Sequence, residues 1–194
     1  MKKRPVLHTP LEERNILGLE AGDQVLLSGT IVTARDEAHR RMSRAIEEGK
    51  ELPIDLTEAI IFYAAPTPTP PGRVIGSIGP TTSGRMDLYT PLLIEKGLRV
   101  MIGKGVRSPA VKEAMRRHGA VYFGAPGGVA ALLARSIRSA RVIAFEDAGP
   151  EAMMELEVVD FPLVVINDNR GGDLYEMVPS ATQGFSPASR PRSD

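Results

Sequence analysis

Nine residues, Gly79 to Asp87, read GPTTSGRMD and hold two threonines, a serine, an arginine and two glycines. That concentration of polar groups suits an anion-handling loop. Gly79 and Gly84 permit positive φ and close backbone approach, and Pro80 fixes one torsion. The hydroxyls of Thr81, Thr82 and Ser83 can then converge with backbone amides on a carboxylate, while Arg85 supplies a two-pronged fork. The same composition also suits a plain turn between two strands.

Four further segments place polar residues at the end of an apolar strand, where α/β sheets put their ligand sites. In SGTIVTARDEAHRR, Arg35 falls just before a helix that Asp36 opens, so its guanidinium can face an anion beside a helix N-terminus, with His39 one turn on. The alternative for these three is a surface arginine, a capping aspartate and a helix-face histidine. In MIGKG, Lys104 is flanked by glycines after an apolar run and can bind a carboxylate or donate a proton, or be a turn lysine in solvent. YFGAPGGVAALLA is a glycine-rich turn running into a helix, without the spacing of a dinucleotide or phosphate-binding loop, and reads as tight helix–sheet packing. VINDNRGGDLY gathers Asn167, Asp168, Asn169, Arg170 and Asp173 around two glycines, which turn chemistry explains.

The elements that must position these residues follow from periodicity. The first 24 residues are polar and read as peripheral, and the apolar runs Val25 to Leu27 and Ile31 to Val32 around Gly29 read as a bent strand or hairpin. Ala38, Met42, Ala45 and Ile46 recur at helical spacing, which predicts a helix over about 37–48 with Asp36 as N-cap and Gly49 at C′. A strand over Ala59 to Ala64 leads into four prolines between Pro66 and Pro71, an extended linker. Then come a helix after Met86, a strand over Arg99 to Ile102, and a helix from Ser108 with Pro109 at N1 and Gly119 at C′. A strand over Ala120 to Phe123, an Ala/Leu-rich helix over Gly127 to about Ile137 and a strand over Arg141 to Phe145 complete an alternation that predicts a parallel α/β layer. Leu156 to Val159 and Leu163 to Ile166 read as further strands. The expected organisation is one domain over residues 1–183 and a disordered Ser/Pro/Arg-rich tail over 184–194.

Composition removes several function classes. Lys plus Arg and Asp plus Glu number 24 each in 194 residues, so no global field draws nucleic acid. No run of about 18 apolar residues suits a membrane span, and the N-terminus lacks the apolar core of a signal peptide, so a cytoplasmic location is expected. Cysteine is absent, which removes disulfides, thiolate nucleophiles and thiolate-held metal from this chain's own repertoire. His8, His39 and His118 lie far apart, so a self-contained metal site is not expected.

Taken in order, SGTIVTARDEAHRR, YAAPTPTPPG, GPTTSGRMD, MIGKG, FGAPGG and INDNRGGDLY resemble the β subunit, or C-terminal domain, of the iron–sulfur hydro-lyases that include class I fumarase and L(+)-tartrate dehydratase. The likeness reaches to about Tyr175, and GPTTSGRMD after a proline-rich linker is its specific element. The resemblance implies an α/β fold, a swivelling β/β/α domain with a mixed sheet and a parallel α/β layer, related to the mobile domain of aconitase. It also implies that the cysteines holding a 4Fe-4S cluster belong to a separate α subunit, with one iron open to substrate. A chain of this kind is then a β half, inactive alone, within a heterotetramer of αβ pairs.

Position by position, the resemblance makes Thr81 the base that takes a proton from the carbon next to a carboxylate. It makes Arg35, Thr82, Arg85 and Lys104 the groups that hold a four-carbon dicarboxylate, with Lys104 grouped with Thr81 as catalytic. A threonine alkoxide needs nearby cations to be stable, and a diacid needs about as many to leave water. Ser83 is a weaker candidate for the alkoxide, by analogy with the serine–arginine pair of aconitase, and Asp36 and His39 belong to a supporting shell. The expected activity is reversible hydration of fumarate to malate, with tartrate dehydration as the alternative. A non-catalytic carboxylate-binding or scaffold module is the alternative of another class.

Overall fold

The computed structural model describes residues 4–125 and 130–177. A long strand, β2 (Gln24–Thr33), receives β1 (Val6–His8) in parallel at its start and β3 (Ile60–Phe62) in parallel at its end. β6 (Val100–Gly103) and β7 (Val121–Gly124) continue the parallel set. β9 (Met153–Asn167) then runs antiparallel to β7 and, along almost its whole length, to β2. The pairings β2–β3–β6–β7–β9–β2 therefore return to their starting strand, while β8 (Ile137–Ala144) pairs with β9 alone. A separate pair joins β4 (Ala64–Pro66) to β5 (Ile78–Pro80).

Alternation along the strands sorts the core into two layers. Leu27, Phe62, Ile102, Phe123 and Phe161 share one cluster, and the intervening Ile61, Tyr63, Met101 and Tyr122 share another with the helices. Those helices are α2 (Asp36–Glu47), α3 (Thr90–Glu95) and α4 (Pro109–His118). α2 buries Ala38, His39, Met42 and Ser43, one stripe at helical spacing. Fully burying a side chain of this size contributes about 1.5–3 kcal/mol, so both layers hold the strand ends in place.

The mixed sheet and its parallel layer agree with the expected α/β class. α4 starts with the Ser108 Oγ accepting the Val111 N–H and ends at Gly119 with φ 69°, as its sequence predicts. Gly49 likewise takes φ 66° after α2. Other expectations need correction. The N-terminal segment is not merely peripheral, because β1 and α1 (Glu13–Leu17) bury Leu7 and Ile16. The extended proline-rich stretch lies between the antiparallel β4 and β5 and spans a hairpin-like return. β8 joins the sheet antiparallel and at its margin, outside the parallel layer. The helix expected over 127–137 ends earlier: among the described residues α5 covers Ala130–Leu133, and a 3-10 turn over Ala134–Ser136 leads directly into β8. The two strands expected over 156–166 are one, bent at Asp160 (φ 52°), whose N–H donates to Ser28 Oγ at 3.0 Å. Residues 126–129 of the FGAPGG turn, the boundary at 183 and the tail over 184–194 lie outside the described residues.

Candidate active site

The three parallel strands β2, β3 and β6 deliver their carboxyl ends to one place. Arg35 and Asp36 follow β2, Tyr63 follows β3, and Lys104 follows β6. The motif loop crosses these ends after β5. The Thr81 N–H donates to the Tyr63 carbonyl at 2.7 Å, and the Ser83 N–H to the Lys104 carbonyl at 2.9 Å. Thr82 and Lys104 form a parallel bridge. Ser83–Met86 is then a 3-10 turn with Ser83 and Met86 turned inward, which leaves Thr82 and Arg85 outward. Lys104 is also exposed, and Thr81 and Arg35 are half-buried.

Electrostatically the cations gathered here suit an anion, and carboxylates of the protein itself lie among them. Asp36 is paired with Arg85 through one carboxylate oxygen, and the same oxygen lies 3.7 Å from Arg35. Glu151 approaches Arg35 at 3.4 Å. Both Arg35 distances are long, and Arg35 Nε is buried with no hydrogen-bond partner among the described residues. A guanidinium in that condition retains donors for an incoming carboxylate. Three cations, Arg35, Arg85 and Lys104, stand here against two carboxylates.

Asp36 is not the cap of α2. It is the first helical residue, and Arg35 occupies the N-cap position without a side-chain cap bond. The capping acceptor comes from far along the chain: Glu151 Oε2 takes the Glu37 N–H at 3.0 Å. Asp36 is thereby available to the arginines. Glu151 carries no local signature in the sequence, since it lies in a 3-10 turn over Glu146–Glu151 that meets α2 only in the folded chain.

His39 lies under the site rather than in it. It is fully buried, its ring meets Tyr63 edge-on at 5.1 Å, and Nδ1 lies 2.8 Å from the Arg35 carbonyl. A carbonyl only accepts, so Nδ1 carries a proton. Burial lowers its pKa to about 4, with the Arg35 carbonyl opposing that shift, Arg107 reinforcing it and Asp36 opposing it.

A buried layer behind the motif loop went unnoticed in the sequence. Arg107 is 3% exposed, its guanidinium lies over the rings of Tyr63 at 5.1 Å and Tyr122 at 4.9 Å, and Nε donates to Asp87 at 2.8 Å. Its other donors reach Thr90 Oγ1 at 2.9 Å and the Tyr63 hydroxyl at 3.3 Å. Asp87 also accepts the Ser108 N–H at 2.6 Å, so the end of the motif is tied to the start of α4. The asparagine-and-aspartate loop matches its plain reading: the Asp168 carboxylate accepts the N–H groups of Ala21, Arg170 and Gly172.

The donor set does not fit an iron–sulfur cluster. The chain has no thiolate, and among the described residues no group of three or more histidines, aspartates or glutamates is arranged to hold a metal ion. No helix of the described residues is long and apolar enough to cross a membrane.

Comparison with known proteins identifies the family. The chain is 43% identical over 154 residues to the anaerobic class I fumarate hydratase of Escherichia coli, a match covering 78% of this chain and 28% of that protein. It is 40% identical over 174 residues to a putative L(+)-tartrate dehydratase subunit beta of Methanocaldococcus jannaschii, covering 87% of this chain and 89% of the relative. The L(+)-tartrate dehydratase subunit beta of Escherichia coli is 34% identical over 179 residues, covering 90% and 87%. The chain thus spans little more than a quarter of the fumarate hydratases it matches and most of the tartrate dehydratase subunits. The family model described as fumarase C-terminus matches residues 2–178, and the chain belongs to that family.

Proposed function

We propose that this chain is the β subunit of a class I fumarate hydratase, which adds water reversibly to fumarate to give malate together with an α subunit. The observation that carries the reading is the carboxylate of Asp36 lying against both Arg35 and Arg85 at the carboxyl ends of the parallel strands. It supports a site whose cations suit the two carboxylates of a four-carbon diacid. Arg35, Arg85 and Thr82 bind and orient the diacid, and the ammonium of Lys104 pairs with a carboxylate or donates a proton.

In the dehydration direction, the alkoxide of Thr81 accepts the proton from the carbon beside a carboxylate and becomes the hydroxyl. The electron pair of that C–H bond becomes the new C=C bond, and the hydroxyl leaves from the neighbouring carbon. In hydration the same oxygen returns the proton. The surrounding cations lower the cost of charge on the threonine oxygen. The group that receives the leaving hydroxyl lies outside this chain, and a 4Fe-4S cluster carried by the α subunit is the cofactor proposed for the assembly.

A second reading, the β subunit of an L(+)-tartrate dehydratase, is supported by the near full-length match to subunits of that name. The two substrates differ by a hydroxyl, which a pocket rejects weakly unless it is built to do so.

Anoxic affinity purification of the chain from its own cells tests the assignment. A co-purifying iron-bearing protein with fumarate hydration supports it, with tartrate run as a competing substrate. A lone, iron-free chain that still binds dicarboxylates overturns it in favour of a binding module. In the active assembly, Thr81→Ala should lower turnover by at least about 100-fold. Turnover near wild type removes Thr81 as the base.

A further inference from the structure

Ser83 lies among residues expected to reach the substrate, yet its side chain points the other way. It is fully buried, and its Oγ accepts the Lys104 N–H at 3.1 Å. The same oxygen lies 2.8 Å from the Tyr122 hydroxyl, which donates to the Gly105 carbonyl at 3.1 Å. A phenol has one proton, and a carbonyl can only accept, so the contact between the two hydroxyls uses the Ser83 proton. Both the proton and an acceptor position of Ser83 are therefore committed within the protein. Burial also pushes the Tyr122 phenol above its ordinary range, so it remains a neutral partner.

The space around this contact leaves no freedom. A Cβ on Gly103 would stand 2.0 Å from Ser83 Oγ and 3.0 Å from the Tyr63 ring. Glycine is needed at 103 for room rather than for backbone conformation. The Ser83 N–H to Lys104 carbonyl bond adds a second link between the same two loops. Tyr122 itself stays in place through its own strand and the stacked Arg107 guanidinium.

We propose that Ser83 and Tyr122 are positioning residues, a buried hydroxyl clasp that sets the separation between the loop carrying Thr81, Thr82 and Arg85 and the turn carrying Lys104. Ser83 is then not the base. The proposal rests on the reading that these two loops jointly hold the dicarboxylate. An alkoxide at Ser83 would have to give up its bond to Tyr122 or take the phenol proton from Gly105, in either case loosening the turn that holds Lys104.

Steady-state kinetics of the assembled enzyme with Ser83→Ala, Tyr122→Phe and the double variant test the clasp, together with amide hydrogen exchange of the full chain. Each single variant should lower kcat/KM by about 10- to 100-fold, chiefly through KM, and the double variant should be little worse than either single one. Lys104 amide exchange should rise at least about tenfold in Ser83→Ala while the Ile102 amide keeps its protection. A loss of about 1000-fold in kcat for Ser83→Ala with unchanged KM, beside a near-normal Tyr122→Phe, overturns the proposal and makes Ser83 the base. A lowered Tm with unchanged kcat/KM of the folded enzyme overturns it as well, because the residues would then be merely structural. If the wild-type assembly hydrates no fumarate and dehydrates no tartrate, the functional reading fails separately. Lys104 exchange that is unchanged in Ser83→Ala still sinks the clasp, whatever the activity.

Discussion

Two loops in this protein share a composition and differ in what they do with it. The motif loop over 79–87 and the loop over 167–173 each follow a strand and each combine glycine, arginine and short polar residues. In the second loop most of the polarity goes into tying neighbouring segments of the protein together. Burial alone would raise the Asp168 carboxyl, yet the N–H groups of Ala21, Gly172 and Arg170 hold it below its ordinary range. Arg170 reaches Glu20 and the Leu17 carbonyl, and Asp173 pairs with Lys112. The motif loop divides its polarity instead: Ser83 and Asp87 face inward and are satisfied, while Thr82 and Arg85 face outward beside Lys104. A loop that spends its polar groups on neighbouring segments is a joint, whereas one anchored from behind can present groups to a ligand.

The anchoring can be broken most severely at Arg107. Its side chain is fully buried and that of Asp87 is 10% exposed, so Arg107→Ala leaves a carboxylate without its partner. Urea unfolding should show a loss of about 3–5 kcal/mol. A loss under about 1 kcal/mol would mean that this pair does not hold the motif loop.

His39 tests the floor of the site through pH. Its folded pKa of about 4 lies below the ordinary 6.5, so between those values the unfolded chain binds a proton that the folded chain refuses. Stability present above about pH 6.5 should fall as the pH drops toward 4, by on the order of 3 kcal/mol in all. His39→Gln should flatten that part of the profile, and an unchanged slope would assign it to other groups.

Asp168→Ala should cost about 1–3 kcal/mol, since three N–H groups lose their acceptor, and should leave the KM of the assembled protein for the proposed diacid unaltered. A raised KM would place the 167–173 loop in the substrate site. The smallest stability effect belongs to Arg85→Gln: 46% of the side chain is exposed, and its removal should shift unfolding by less than about 0.5 kcal/mol. Dicarboxylate affinity of the same variant should nevertheless fall at least about tenfold. Equal affinity would remove Arg85 from the binding set.

Much of the fold was readable because it depends on local rules. The Ser108-Pro109 start and Gly119 end of α4 follow from capping chemistry, and α2 from its apolar stripe. The errors fall where tertiary pairing overrides local pattern. Asp160 and Pro162 interrupt an apolar run, yet β9 passes through them because β2 carries a matching irregularity between Leu27 and Gly29. β8 has strand periodicity, which says nothing about the direction of its partner. Among the site residues, Arg35, Thr81, Thr82, Arg85 and Lys104 were visible as polar groups at strand ends. Tyr63, Tyr122, Arg107 and Glu151 were not, since two look like ordinary core aromatics and two like ordinary surface charges.

The sequence by itself determined the α/β class, the absence of any thiolate and the family to which the chain belongs, because composition, periodicity and short motifs record local chemistry. Only the tertiary structure decided which polar groups face outward at the strand ends. Whether Asp36 caps a helix or binds two arginines depends on Glu151, 115 positions away, supplying the cap. Whether the Ser83 hydroxyl faces substrate or core depends on Tyr122 and on the missing side chain at Gly103. Hydrogen bonds and burial are settled by contacts between distant segments, and a one-dimensional pattern does not contain those contacts.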